Sequence, residues 1–337
     1  MTVLGIESSC DECSVALVDD GRHLLAQTIH TQIEFHKKYM GVVPEIASRK
    51  HTEWIQPVYR ETLAKAGMTA ADVDGIAVTR RPGLTGSLVV GLSFAKALSA
   101  TLEVPFVGVD HILSHLYAVQ LEQAVDYPFL ALLVSGGHTL IGVSRSPLEL
   151  EVLGATIDDA CGEAFDKVAK HYGFGYPGGV VIDGLARRGD PRAARFPDAE
   201  LKKGKHEFDV SYSGLKTAAI NQLDKFWNDD YPRSPENIAA AFQRAAIDMV
   251  LKRLNRAISA TGITKVVVAG GVAANSYLRE ALETRSELDV YLPSLELCTD
   301  NAAMVAGLGY HVIGERGADP YDIGVFARTP GFKRGYP

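Results

Sequence analysis

Residues Phe129 to Ser144 read F-L-A-L-L-V-S-G-G-H-T-L-I-G-V-S. An unbroken apolar run, a short polar turn holding two glycines and a second apolar run predict two strands joined by a tight turn. Leu148 to Leu153 continues as a third strand. Beyond it the pattern turns helical, at about Asp159–His171, Gly214–Trp227 and Pro235–Thr261. The strand Lys265–Ala269 follows, then a helix opened by G-G-V-A-A-N, the strand Val290–Leu292 and a last helix over Asp300–Gly314. The N-terminal half shows the same order. Val3–Ile6, Ser14–Val18 and Leu24–Thr28 are β-type runs separated by E-S-S-C-D-E and D-D-G. A helix over Pro44–Ala66 stops at Gly67. The strand Gly75–Thr79, the loop R-R-P-G-L-T-G, a helix over Ser87–Leu102 and the strand Phe106–Val109 come next.

Two halves that each begin with a three-strand meander and then alternate strand and helix predict an α/β chain. Its layout is the two-lobed actin-like, sugar-kinase-like (ASKHA) architecture with a central interlobe cleft. The expected lobes are residues 1–118 with about 300–325, and residues 119–299. The Gly-, Arg- and Pro-rich stretch Gly173–Lys205 is expected to be loop-rich surface of the second lobe.

The 337 residues are 47% hydrophobic and 22% charged, an ordinary globular composition. No run of about 18 apolar residues is present, so no membrane span is expected. The N-terminus lacks a basic region and meets acid at Glu7, unlike a signal peptide. Cys10, Cys13, Cys161 and Cys298 are too few and too scattered for a disulfide framework, which points to a reducing, cytoplasmic setting. Cys10-x-x-Cys13 runs straight into the strand S-V-A-L-V and is read as incidental rather than as a redox pair. A net charge of −7 argues against nucleic-acid binding by the chain as a whole, while leaving room for a local basic patch.

Val109 to Gln120, V-D-H-I-L-S-H-L-Y-A-V-Q, carries the most chemistry. His111 and His115 fall on one helix face, one turn apart, and Asp110 can cap the helix. Such a pair can hold a transition metal; it equally fits two histidines satisfied by water or backbone. A zinc protease of the H-E-x-x-H type needs Glu after the first His, and that position is Ile112. Ser135 to His138 can bring backbone N–H groups to an anion or simply turn a hairpin. Val266 to Asn275, V-V-V-A-G-G-V-A-A-N, resembles a nucleotide-binding turn but lacks G-x-G-x-x-G. Asp166 and the G-G-V-V-I-D-G stretch, with Gly179 and Asp183, offer carboxylates suited to ribose hydroxyls or to plain solvation. Asp300, in C-T-D-N-A-A-M, can cap the last helix or complete a His-His-Asp set.

Ten stretches in order resemble the TsaD family, also called Gcp or YgjD, with Kae-type counterparts. They are G-I-E-S-S-C-D-E, G-V-V-P-E-I-A-S-R-K-H, P-G-L-T-G-S-L, H-I-L-S-H, L-L-V-S-G-G-H-T, D-D-A-C-G-E-A-F-D-K-V-A, Y-P-G-G, Y-S-G-L-K-T, A-G-G-V-A-A-N and C-T-D-N-A-A-M, running from Gly5 to Met304. The resemblance implies an acyltransferase. It would move threonylcarbamoyl from L-threonylcarbamoyladenylate to N6 of adenosine 37 in tRNAs reading codons that begin with A, releasing AMP. It further implies one divalent metal, Fe(2+) ahead of Zn(2+), on His111, His115 and Asp300. Val134, Ser135, Gly136, Gly137, His138, Asp166, Gly179, Asp183 and Asn275 would hold the adenylate, and Asp11 and Glu12 would lie near the reacting carbonyl. A paralogous TsaB-type subunit and a TsaE-type small ATPase are the implied partners.

Three positions depart from the family pattern: Cys13 stands where Thr is usual, Met40 where Gly is usual, and Arg81 in place of the first Gly of G-P-G-L. A metal-dependent glycoprotein endopeptidase and an ASKHA small-molecule kinase are the competing expectations. Basic pairs occur at Lys37–Lys38, Arg49–Lys50 and Arg80–Arg81, with Lys202, Lys203, Lys205, Lys333 and Arg334 further on. None is dense, so the chain alone is expected to bind tRNA weakly, with partner subunits supplying much of the footprint.

Overall fold

A computed structural model describes residues 1–198 and 206–329; Lys202, Lys203, Lys205, Lys333 and Arg334 lie outside the described residues. The chain runs β1 (Thr2–Glu7), β2 (Glu12–Asp19), β3 (His23–Thr31), α1 (Ile33–Lys37), α2 (Pro44–Ala66), β4 (Gly75–Arg81), α3 (Thr85–Leu102), β5 (Phe106–Asp110) and α4 (His111–Tyr117). The series then restarts with β6 (Phe129–Val134), β7 (Thr139–Ser146), β8 (Glu149–Ala155), α5 (Cys161–Tyr172), α6 (Gly178–Ala186), α7 (Ser213–Asn221), α8 (Leu223–Phe226) and α9 (Pro235–Thr261). It ends with β9 (Lys265–Ala269), α10 (Ser276–Glu283), β10 (Asp289–Tyr291), α11 (Leu295–Cys298) and α12 (Ala302–Arg316).

Each half builds a five-stranded sheet of one topology. The orders are β3-β2-β1-β4-β5 and β8-β7-β6-β9-β10. β1 pairs antiparallel with β2 and parallel with β4, and β6 pairs antiparallel with β7 and parallel with β9. The predicted meander-then-alternation is therefore present twice. Among the described residues, one compact unit comprises 1–126, 146–149 and 293–329; the other comprises 127–145, 150–198 and 206–292. Residues 119–126 and 293–299 thus pack with the first unit. Ala118 and Val119 are buried there, and the Glu122 carboxylate accepts the Ser294 N–H at 2.8 Å.

The first sheet shows why alternation decides burial. Val3, Ala16, Val18, Ala77 and Val107 face one core with Ala302–Ala306 and Leu308 of α12. Leu4, Ile6, Val15, Leu17, Ile76 and Val78 face another with Ile55, Val58, Leu92 and Ala95 of α2 and α3. α12 comes so close that a Cβ on Gly5 would sit 2.2 Å from the Ala302 carbonyl. By length and composition α3 is apolar enough to cross a membrane. Its Ser87, Leu88, Gly91, Leu92, Ala95 and Ser99 face is buried where the helix packs on β4 and α2, while Val89 on the other face is exposed.

Three local expectations change. Within the stretch expected to be loop-rich, α6 forms, with Ile182 and Asp183 buried; flanking glycines and Pro177 conceal a short apolar helix. The predicted helix Gly214–Trp227 breaks at Gln222 into α7 and α8. G-V-A-A is a 3-10 turn, and the helix proper starts at Ser276 under an Asn275 cap.

Candidate metal centre and nucleotide loops

β5 ends on Asp110, and α4 starts at the next residue. The Asp110 carboxylate accepts the N–H groups of Ile112 (2.9 Å) and Leu113 (3.4 Å), the predicted cap. His111 and His115 are buried one turn apart, their rings edge to face with centroids 4.5 Å apart. Asp300 Oδ1 lies 3.0 Å from His115 Nε2 and 3.6 Å from His111 Nε2. One candidate ligand atom from each of the three lies within 4.8 Å of the others. A cation with bonds of ~2.1 Å holds neighbouring ligand atoms ~3.0 Å apart at right angles and ~3.4 Å apart in a tetrahedron. The observed spacings suit one such ion.

The alternative role for Asp300 falls to its neighbour. Asn301 caps α12, its side chain accepting the Met304 N–H at 3.0 Å. Behind His111 stands Glu7, fully buried at the end of β1. Its carboxylate accepts from Ser9 N (2.6 Å), Thr79 Oγ1 (2.7 Å) and His111 Nδ1 (3.0 Å). That bond keeps the proton of a neutral His111 on Nδ1 and leaves Nε2 as the candidate ligand atom. Burial opposes a charge on Glu7, but His111 more than offsets it and holds the carboxyl below its ordinary range. Burial likewise opposes charge on His111, and Asp300 and then Glu7 outweigh it, raising the imidazole to about 9. In His115 burial and the neighbouring His111 charge win, and its proton affinity falls.

Asp11 and Glu12 belong to the same neighbourhood. Burial, then the charges of Asp11 and Asp300, push Glu12 well above the usual carboxylate range. Four carboxylates near two imidazoles form a donor set that favours a cation. Glu7 is the residue that sequence reasoning passed over. Its signal was an acid ending an otherwise apolar strand, L-G-I-E.

In the second unit the loops meet through the turn after β9. Gly270 has φ +89°, and a Cβ there would lie 2.5 Å from the Val134 carbonyl. This presses the A-G-G turn against the end of β6. Ser135 Oγ accepts the His138 N–H at 3.0 Å, while Gly136 and Gly137 are exposed. The start of α5 rests on this turn, with Gly162 N donating to Ser135 O at 3.1 Å, so a helix N-terminus adjoins it.

Asn275, on the same chain turn, donates to Asp183 (3.2 Å) and Gln243 (2.9 Å). Asp183 also accepts Ser276 N (3.0 Å) and Ser276 Oγ (2.6 Å) and pairs with Arg187 at 2.9 Å. Asp166 accepts the Gly178 N–H at 2.7 Å, fixing the entry to α6 beside Gly179. The carboxylates of Asp166 and Asp183 thus have structural partners, and Gln243 and Ser276 join the set. A surface cavity of about 440 Å³ in this unit, lined by Arg192, Arg195, Asp198, Arg244 and Lys252 among others, shares no residue with these loops.

A duplicated actin-like α/β chain with a His-His-Asp cluster in its first unit and glycine turns in its second defines the class. Among solved structures, component A of the Acidaminococcus fermentans (R)-2-hydroxyglutaryl-CoA dehydratase covers 94% of this chain and 100% of its own at TM-score 0.56 and 15% identity. Full-length HypF matches at TM-score 0.60 and 15% identity over 94% of this chain and 47% of its own. Both show the fold alone. A curated relative from Treponema denticola, named tRNA N6-adenosine threonylcarbamoyltransferase, is 57% identical over 334 residues, 99% of each chain. Residues 23–307 match the family described as TsaD, tRNA N6-adenosine threonylcarbamoyltransferase. The chain belongs to that family, and it is a transferase acting on tRNA. The endopeptidase and kinase expectations give way to it.

Proposed function

We propose that the chain moves a threonylcarbamoyl group from L-threonylcarbamoyladenylate to N6 of adenosine 37 in tRNAs reading codons that begin with A, with AMP as the leaving group. The observation that carries the reading is the convergence of His111, His115 and Asp300. These three residues would hold one divalent metal, Fe(2+) ahead of Zn(2+), since two imidazoles and one carboxylate with open positions suit ferrous iron. The bound metal supplies Lewis-acid polarisation of the carbonyl that a weakly nucleophilic N6 must attack.

The chain's own residues supply the rest. Glu7 holds the His111 proton at Nδ1 and orients the ring. Asp11 and Glu12 take the proton that N6 sheds. In the second unit the Val134–His138 turn and the α5 N-terminus face the phosphate. Asp166, Gly179, Asp183 and Asn275 position the nucleoside. Asp183 would share lone pairs it already uses. A TsaB-type subunit and a TsaE-type ATPase complete the assembly in the cytoplasm and supply much of the tRNA footprint. Mass spectrometry of tRNA nucleosides from cells depleted of the protein tests the reading: threonylcarbamoyladenosine should fall, and an unchanged level would refute it.

A further inference from the structure

α1 and the start of α2 carry a surface that the site description does not use. Phe35 is 42% exposed and Tyr39 46% exposed. Lys50 Nζ lies 4.6 Å from the Phe35 ring centre and 5.9 Å from that of Trp54, and Lys38 Nζ lies 4.8 Å from that of Tyr39. Phe35 also leans on Trp54 at 5.8 Å between centroids. Lys38 and Arg49 have no carboxylate partner among the described residues, whereas Lys37 and Lys50 pair with Glu34 and Glu53. Exposed aromatic faces with cations laid on them are the makings of a platform for unpaired bases.

The platform is fastened to the candidate metal centre. The Gln32 N–H donates to the Asp11 carbonyl at 3.0 Å, and His51 Nε2 donates to the Cys10 carbonyl at 2.9 Å. The residues leading into α1 and the first turns of α2 are therefore pinned to the backbone that carries Asp11 and Glu12. The substrate requires something of this kind. An adenine N6 that is to be acylated cannot be engaged in a base pair, so the adenosine must come from a single-stranded stretch with its neighbours unstacked. Those neighbours need new stacking partners close to the reacting centre.

We propose that Phe35 and Tyr39 stack on unpaired tRNA nucleotides flanking the target adenosine, while Lys38 and Arg49 meet the adjoining phosphates. The proposal rests on the tRNA-modifying reading above. Glu34, Glu45 and Glu53 dilute the local positive charge, so stacking carries most of the contact and the cations tune it. When a base covers Tyr39, Lys38 swings from that ring to the neighbouring phosphate.

The test is fluorescence anisotropy of a labelled anticodon stem-loop with the full chain across a range of salt. Phe35→Ala and Tyr39→Ala should each weaken binding by roughly tenfold with the salt slope unchanged. Phe35→Tyr and Tyr39→Phe should restore it. Lys38→Ala with Arg49→Ala should lower the slope by about one unit in log–log form. Melting curves of each variant confirm that the fold is kept. Wild-type affinity in the Phe35→Ala, Tyr39→Ala double variant would overturn the proposal and leave the functional reading intact. So would normal RNA binding by that variant with loss of a partner subunit, which would make the patch a protein-docking face. Absence of RNA binding by the wild-type chain, both alone and with its partner subunits, would bring down the functional reading and this one together.

Discussion

Glu7→Gln keeps the shape of a fully buried side chain and removes its charge. One carboxylate oxygen accepts from Ser9 N; the other accepts from Thr79 Oγ1 and His111 Nδ1. An amide fits the same space with its NH2 on the second side, donating to Thr79 Oγ1 and to His111 Nδ1. The ring proton then moves to Nε2, the atom that faces Asp300, and Nε2 can no longer ligate. Metal affinity should fall by about 10- to 100-fold. The metal-free protein adds a pH signature, because His111 is raised to about 9 against burial by Asp300 and Glu7.

A raised folded-state pKa contributes stability that is complete below the unfolded value near 6.5 and is lost as pH rises through about 9. At its fullest the contribution is about 3 kcal/mol. The metal-free wild type should lose stability across that window, and Glu7→Gln should lose less, since one of the two responsible charges is gone. A metal must displace the same proton, so wild-type affinity should rise with pH over the same range. Competition with a chromophoric chelator and urea melts of the chelator-treated protein, both from about pH 6 to 9, measure the two effects. Wild-type affinity and an unchanged stability profile in Glu7→Gln would refute the role given to this carboxylate.

Asp300→Ala should strip the bound metal with little loss of fold, whereas Asn301→Ala should cost about 1 kcal/mol of stability and keep the metal; metal analysis beside thermal melts separates them, and full metal in Asp300→Ala would remove it from the ligand set. Cys13→Thr should leave transfer activity near wild type, because burial and the Glu7 charge push the thiol up to about 12 and no thiolate forms; a large activity loss, or a thiol reagent labelling Cys13 in the folded chain, would contradict this. Gly270→Ala should cost about 2 kcal/mol or more, since it adds a Cβ 2.5 Å from the Val134 carbonyl at a positive φ. A melting temperature within a degree or so of wild type would show that the turn relaxes freely.

The fold was legible because burial follows simple periods. β6 is apolar throughout and buried throughout, and the meander-then-alternation order recurs in both sheets. α6 was hidden because the glycines and proline around it read locally as loop. The histidine pair was legible from one helical turn. Asp300 was reachable only through the family resemblance, because 185 residues separate it from His115 and no local pattern spans that gap. Two departures gain physical sense. Met40 has φ +55°, a left-handed conformation in which glycine is at ease, which accounts for the usual Gly there. Arg81 spends its charge on Asp110 at 3.1 Å, steadying the residue that caps the histidine helix.

The candidate metal set depends on the core as much as on its own side chains. α12 begins A-A-M-V-A-G, and its Ala302 and Ala306 let the helix settle onto β1, with Gly5 taking up the Ala302 carbonyl. The Ala302 N–H reaches Ser14 Oγ on β2 at 3.1 Å, and the Ala303 N–H reaches the Gln27 side chain on β3 at 3.0 Å, so three strands fix the start of this helix. Asp300 immediately precedes that anchored start. Asn301 caps the helix, and the Asp300 carboxylate meets His115 Nε2 at 3.0 Å. On the opposite side β1 runs from Gly5 through Ile6 to Glu7, which holds His111. The short stretch G-I-E therefore does two things at once: its glycine admits the helix that follows Asp300, and its glutamate holds Nδ1 of His111.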